Sequence, residues 1–226
     1  MQDVAAALQA VHTRVRAAEE RFGRVPGSVA LLAVSKTRPP EDLRAAFVEG
    51  QRAFGENYVS EALGKMASLG DLAIEWHFIG PVQSNKTRPI AERFAWVHSV
   101  DREKVARRLA EHRPAGLPPL QVCVEVNVSG EESKSGVAPG ELPALARTVA
   151  ALPRLRLRGL MAVPAPEEDF ELQRRAFRRL RELFEGLRGE GLPLDTLSMG
   201  MSGDLEAAVA EGATLVRVGT AIFGPR

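Results

Sequence analysis

A single (β/α)8, TIM-like barrel is the fold class this sequence predicts, on three observations. Apolar, strand-like runs alternate with amphipathic helical stretches along the whole chain. Eight such runs share 226 residues, which leaves each unit short, as in compact barrels of about 200–250 residues. Strands that alternate with helices pair in parallel, because each crossover helix returns the chain to the same end of the sheet. An open, doubly wound sheet is the rival, since periodicity does not report closure.

The N-terminal stretch "MQDVAAALQAVHTRVRAAEERFG" has apolar residues at helical spacing with charges between them. It predicts a helix over 2–22 that covers the barrel where a final helix would otherwise sit. Strand-like runs follow at "VALLAVSK" (29–36), "RAFGEN" (52–57), "EWHFIG" (75–80) and "AWVHSV" (95–100). The second half supplies "LQVCVEVNVS" (120–129), "LRLRGLMAV" (155–163), "DTLSMGMS" (195–202) and "LVRVGTAIFG" (215–224). These are rich in β-branched and aliphatic residues. The segments between them, such as "PEDLRAAFVEG", "REKVARRLAEH" and "EDFELQRRAFRRLRELFEGLRGEG", carry helical periodicity. "AGLPPL" and "AVPAPEED" read as loops within one domain spanning 1–226, not as linkers.

Composition narrows the function classes. Thirty basic against twenty-nine acidic residues give a formal charge of +1, so no basic excess points to nucleic acid. No apolar run approaches the roughly 20 residues of a membrane span, and the N-terminus lacks the apolar core of a signal peptide. Cys123 is the only cysteine, and His12, His77, His98 and His112 are scattered. A cytoplasmic, monomeric protein without disulfide or structural metal is expected.

Only five of the basic residues are lysine, and three of them follow strand-like runs: Lys36 in "VSKT", Lys86 in "QSNKT" and Lys134 in "ESKSG". Lys65 and Lys104 fall in amphipathic helical patterns and read as solvated. In a barrel the active site is built at the C-terminal ends of the strands, which is where Lys36 sits. A partly desolvated lysine there is a usable amine nucleophile. Loops after the last two strands frequently form a phosphate site. Here they are "SMGMSGDLEAAV" and "RVGTAIFG", with Ser202 and Gly203 expected to open a helix and Gly219 and Thr220 to admit an anion. Asp204, in the first turn of that helix, would compete for its positive end. Arg217 shares a strand face with Gly219, one step deeper.

A lysine amine, a phosphate cradle and a buried arginine together match pyridoxal 5′-phosphate (PLP). The aldehyde would join Lys36 as a Schiff base. Arg217 at the pyridine nitrogen would hold that nitrogen unprotonated and weaken the electron sink. Asn57 in "FGENYV" is either a neutral hydrogen-bond partner on this face or a helix N-cap. His77 reads as a satisfied core histidine, and Lys134 as a solvated residue on a loop over the site.

The motifs "AVSKT", "FGENYVSEA", "WHFIGPVQSNK", "NVSGEESKSG", "LRGLMAV", "SMGMSGDLEAAV" and "RVGTAIFG" resemble, in this order, those of the pyridoxal phosphate homeostasis protein family. The resemblance runs over nearly the whole chain. It implies a fold-type III barrel like that of alanine racemase, with an extra N-terminal helix and the cofactor on Lys36. It further implies that Arg217 faces the pyridine nitrogen and that the turns at Ser202 and Gly219–Thr220 hold the phosphate. The implied role is a carrier or regulator of intracellular PLP without catalytic turnover, with PLP-dependent apo-enzymes as its partners.

A two-base racemase needs a second acid–base residue opposite the lysine. In alanine racemase a tyrosine reaches the site by way of the partner subunit's second, β-rich domain, whereas here the sequence ends with the barrel and Tyr58 is the only tyrosine. Three rivals stand beside the carrier: a small PLP-dependent amino-acid racemase, a Schiff-base aldolase acting on a sugar phosphate, and a scaffold without ligand. The aldolase gives Arg217 no task, and the scaffold leaves the clustered lysine, serine, glycine and threonine unexplained.

Overall fold

The computed structural model describes residues 3–130 and 135–225. Eight strands, β1 (Ala30–Val34), β2 (Ala53–Glu56), β3 (Glu75–Phe78), β4 (Trp96–Val100), β5 (Leu120–Glu125), β6 (Leu155–Met161), β7 (Thr196–Ser198) and β8 (Leu215–Val218), alternate with helices. They pair in chain order, all parallel, and β1 also pairs with β8 from Ala30↔Leu215 to Ala33↔Val218. That last pairing closes the barrel and excludes the open sheet.

The strands are shorter than the apolar runs that announce them. The run at 195–202 forms a strand only over Thr196–Ser198, and the run at 215–224 turns after Val218 into the short helix α9 (Thr220–Phe223). Past these strand ends Met199, Ile222 and Phe223 remain buried, whereas Met201 is exposed.

Helix α1 (Val4–Arg21) buries Val4, Leu8, Val11, Val15 and Ala18, a 4-3-4-3 spacing that keeps one face apolar. Asp3 caps it by accepting from the Ala6 N–H at 3.1 Å. This face packs on α2 (Pro40–Val48), α8 (Leu205–Ala210) and α9. Burying each Val or Leu contributes about 1.5–3 kcal/mol. The buried carboxylate of Glu19 accepts from the N–H groups of Gly27 and Val29 at 3.0 and 2.8 Å, which aims the chain into β1.

The remaining crossovers are α3 (Val59–Ser68), α4 (Thr87–Arg93), α5 (Glu103–His112), α6 (Leu142–Ala151) and α7 (Phe170–Gly189). The main core lies between strands and helices, where Phe54, Phe78, Ile90, Leu109, Leu160 and Phe177 are fully buried. A small separate apolar cluster is formed by Trp96, Cys123 and Met161. Barrel interiors are ordinarily filled by branched aliphatic side chains. Here His77, His98, Ser198 and Arg217 are buried among the strands instead.

Candidate functional site

A cavity of about 430 Å³ opens at the C-terminal ends of the strands, within the usual range for small-ligand sites of about 300–1,000 Å³. Lys36, Asn57, Ser202, Gly203, Arg217, Gly219 and Thr220 all line it, so all seven residues singled out from the sequence converge on one space. Val34, Arg38, Ile79, Val163 and Met201 complete the wall. Strand alternation could have found some of these, because Val34 stands two positions before Lys36 and Ile79 two after His77. The lining holds three cations and no carboxylate. It therefore favours an anionic ligand.

Lys36 follows β1 in a tight turn and is half-buried. The turn is held from behind by a residue misjudged from its pattern. Lys65 is buried rather than solvated. Its Nζ donates to the Ser35 carbonyl at 2.6 Å, to Glu56 Oε1 at 2.7 Å and to Glu61 Oε1 at 2.5 Å. The i,i+4 spacing on α3 places Glu61 and Lys65 on the face that meets β1 and β2, where the buried carboxylate of Glu56 requires a cation. The Ser35 hydroxyl also donates to Glu56, at 2.6 Å. Burial pushes the Glu56 carboxyl up, against the opposing hydrogen bonds from Lys65 and Ser35. Glu61 additionally accepts from the Thr37 N–H at 2.5 Å. Thr37 has φ +63°, a left-handed conformation unfavourable for a β-branched residue. The backbone on both sides of Lys36 is thus clamped by one charged cluster. Lys104 is exposed, as its pattern indicates, and Lys134 lies outside the described residues.

Asn57 follows β2 and is not a helix N-cap; that position belongs to Tyr58. Its Oδ1 is buried and has no hydrogen-bond partner among the described residues. A Cβ at Gly80 would stand 2.2 Å from the Asn57 carbonyl oxygen, so only glycine lets the chain leaving β3 cross at this level.

Ser202 and Gly203 lie in a turn before α8 rather than in its first turn, and Asp204 takes the N-cap. Asp204 Oδ1 accepts from the Met201 N–H at 2.5 Å, closing the turn on itself. The Ser202 hydroxyl accepts from the Ala221 N–H at 3.4 Å, which ties this turn to the one after β8. From α1, Arg14 reaches the Ser202 carbonyl at 3.3 Å while paired with Glu206 at 2.9 Å. Gly219 serves packing as well: a Cβ there would meet the Val34 carbonyl oxygen at 3.0 Å.

Arg217 forms part of the cavity wall from within the barrel. Its guanidinium donates to the Ser198 carbonyl at 2.5 Å, the Ser198 hydroxyl at 2.8 Å and the Ala162 carbonyl at 2.8 Å. Burial lowers it to about 10, which leaves it charged at neutral pH. Glu125, near the top of β5, is raised to about 7 by burial and by Asp101, with Arg217 opposing. His77 and His98 are buried and held below the ordinary histidine value by desolvation. Among the described residues no three His, Cys, Asp or Glu side chains are grouped to hold a metal ion, and no helix is long and apolar enough to cross a membrane.

Comparison with known proteins places this geometry. The family described as "Alanine racemase, N-terminal domain" matches residues 7–226. A pyridoxal phosphate homeostasis protein from Pseudomonas aeruginosa is 62% identical over 226 residues, covering 100% of this chain and 97% of that one. The structure of PipY from Synechococcus elongatus with PLP bound is 37% identical with TM-score 0.86, covering 98% and 100% of the two chains. An alanine racemase from Corynebacterium glutamicum, 19% identical with TM-score 0.74 over 97% of this chain and 62% of that one, shares the fold. Matched along its length to relatives that carry the name, the chain belongs to the pyridoxal phosphate homeostasis protein family.

Proposed function

We propose that the protein binds PLP in this cavity and acts as a carrier or regulator in intracellular PLP homeostasis. The carrying observation is the electropositive cavity itself, with a lysine on a clamped turn at one side and a buried arginine at the other. The orphaned Oδ1 of Asn57 fits a ligand that brings a hydrogen-bond donor. The turns at Ser202–Gly203 and Gly219–Thr220 take the phosphate, helped by Arg14, which steadies the Ser202 carbonyl from behind. The Lys36 amine condenses with the aldehyde, forming a C=N bond and releasing water. Arg217, a donor only, faces the ring nitrogen and keeps it unprotonated.

Bound PLP supplies an electrophilic centre and an electron sink. A permanent cation at its ring nitrogen blunts the second property, which suits retention and delivery better than turnover. PLP-dependent apo-enzymes are the recipients in this reading, and the protein works in the cytoplasm as a monomer, without catalysis of its own. Relatives named as homeostasis proteins rather than enzymes support it.

The test is the absorbance spectrum of purified protein mixed with PLP, repeated for Lys36→Ala. A yellow imine band present in the wild type and lost in the variant is expected. A wild type that stays colourless would overturn the reading. Solvent deuterium exchange at the α-carbon of alanine above the free-PLP rate would favour the racemase.

A further inference from the structure

The polar interior of the barrel forms one continuous hydrogen-bonded relay. It starts at Arg217, whose Nη1 donates to Ser198 Oγ at 2.8 Å. Ser198 Oγ lies 2.8 Å from His98 Nδ1, His98 Nε2 lies 2.9 Å from His77 Nδ1, and His77 Nε2 lies 2.8 Å from Glu75 Oε1. Five residues from four strands thus join the ligand cavity to the opposite mouth of the barrel. There Glu75, its side chain about half exposed, and Trp96 line a cleft of about 580 Å³.

Both ends dictate the same polarity. Arg217 can only donate, so the Ser198 hydroxyl accepts from it and passes its own proton to His98 Nδ1. The Glu75 carboxylate can only accept, so His77 carries its proton on Nε2 and offers Nδ1 as an acceptor. With both rings neutral, His98 is then protonated on Nε2, the one tautomer that satisfies both neighbours. Burial favours neutrality in both rings, and for His98 the positive field of Arg217 adds to it. The ring of His77 stacks on Trp96 at 5.3 Å between centroids, which fixes its plane. The other ionisable groups that act on the relay are Asp204, Glu125 and Cys123 around Arg217, and Arg158 beside Glu75.

We propose that His98 and His77 are positioning residues that act through the Ser198 hydroxyl to fix the Arg217 guanidinium, and so set how firmly the cavity holds PLP. The inference rests on the PLP reading above. A barrel filled with aliphatic side chains would pack as well, so packing alone does not require this relay. With His98 unable to accept, the Ser198 proton has no partner at this position and Arg217 loses a fixed acceptor. The charge at Glu75 is thereby coupled to the ligand cavity through the length of the barrel.

Two measurements test it. In the unloaded protein, the nitrogen chemical shifts of labelled histidine are expected to show the Nε2–H tautomer for both His77 and His98. An Nδ1–H tautomer at either ring would overturn the relay whatever the ligand. In PLP-loaded protein, His98→Leu is expected to release PLP about fivefold faster, the scale of one lost hydrogen bond, and to shift the pH midpoint of the bound-cofactor band. His98→Gln, whose amide offers one acceptor and one donor, should restore much of both. Glu75→Leu should act in the same direction more weakly. Should His98→Leu fail to fold, Ser198→Ala and Glu75→Leu decide. Release half-times and band midpoints equal to wild type in the loaded variants, with only thermal stability changed, would overturn the proposal. A wild type that forms no band would sink the PLP reading instead, leaving the tautomers as the independent measure.

Discussion

The two walls of the cavity solve the problem of a buried cation in opposite ways. Behind Lys36, Lys65 is compensated at once by the carboxylates of Glu56 and Glu61, and all its hydrogen bonds are local. Across the cavity, the acceptors of Arg217 are neutral oxygens of Ser198 and Ala162, and the nearest carboxylate on its relay is Glu75, three side chains away. The first arrangement locks a backbone turn. The second leaves the guanidinium hydrogen-bonded to neutral oxygens alone, with Asp204 and Glu125 acting on it only through space, so its positive charge stands at the cavity wall where a ligand can use it. Stability is therefore concentrated on the lysine side and binding electrostatics on the arginine side.

The sharpest way to break this contrast is Lys65→Met. Removing one partner of a buried ion pair strands the other charge and costs about 3–5 kcal/mol. Denaturant unfolding of the unloaded protein should show a loss of that size. A loss near zero would mean that the cluster does not hold the turn.

On the arginine side, Glu125 provides a graded test. Its folded value, about 7, lies above the ordinary 4.5, because burial disfavours its charged form. Such a group contributes stability that is complete below its unfolded value and lost as pH rises through the folded one. Glu125→Gln mimics the protonated form. The variant should therefore gain on the wild type between pH 5 and pH 8, by ~3 kcal/mol at most. Parallel stability curves for the two proteins would contradict the assignment.

The smallest expected effect lies beside Lys36. Thr37→Gly relieves a left-handed β-branched residue and should stabilise the fold by about 1 kcal/mol. If strain and clamp together aim Lys36, the same substitution should speed PLP release. Faster release from a more stable protein would separate aim from stability, whereas unchanged release would confine the role of Thr37 to the turn.

Much of this was legible in the sequence. Alternating patterns located all eight strands, and Lys36, Arg217 and the two glycine-containing turns were visible as polar or small residues at strand ends. Lys65 was misread because an amphipathic helix shows the same spacing whether its lysine meets water or a buried carboxylate. Only the packing of α3 on β2 distinguishes the two. The relay was hidden for a different reason. Glu75, His77, His98, Ser198 and Arg217 lie on four strands, and only barrel closure and register bring them together. The available signal was polar residues at inward positions of several strands, beginning with the Glu75–His77 pair two apart.

The most direct test of PLP binding at Lys36 is borohydride reduction of PLP-loaded protein followed by peptide mapping. Reduction fixes the imine as a stable secondary amine. The mass of the reduced adduct is predicted on the peptide that contains Lys36. Label on Lys65, Lys86, Lys104 or Lys134 instead, or no label at all, would contradict the account.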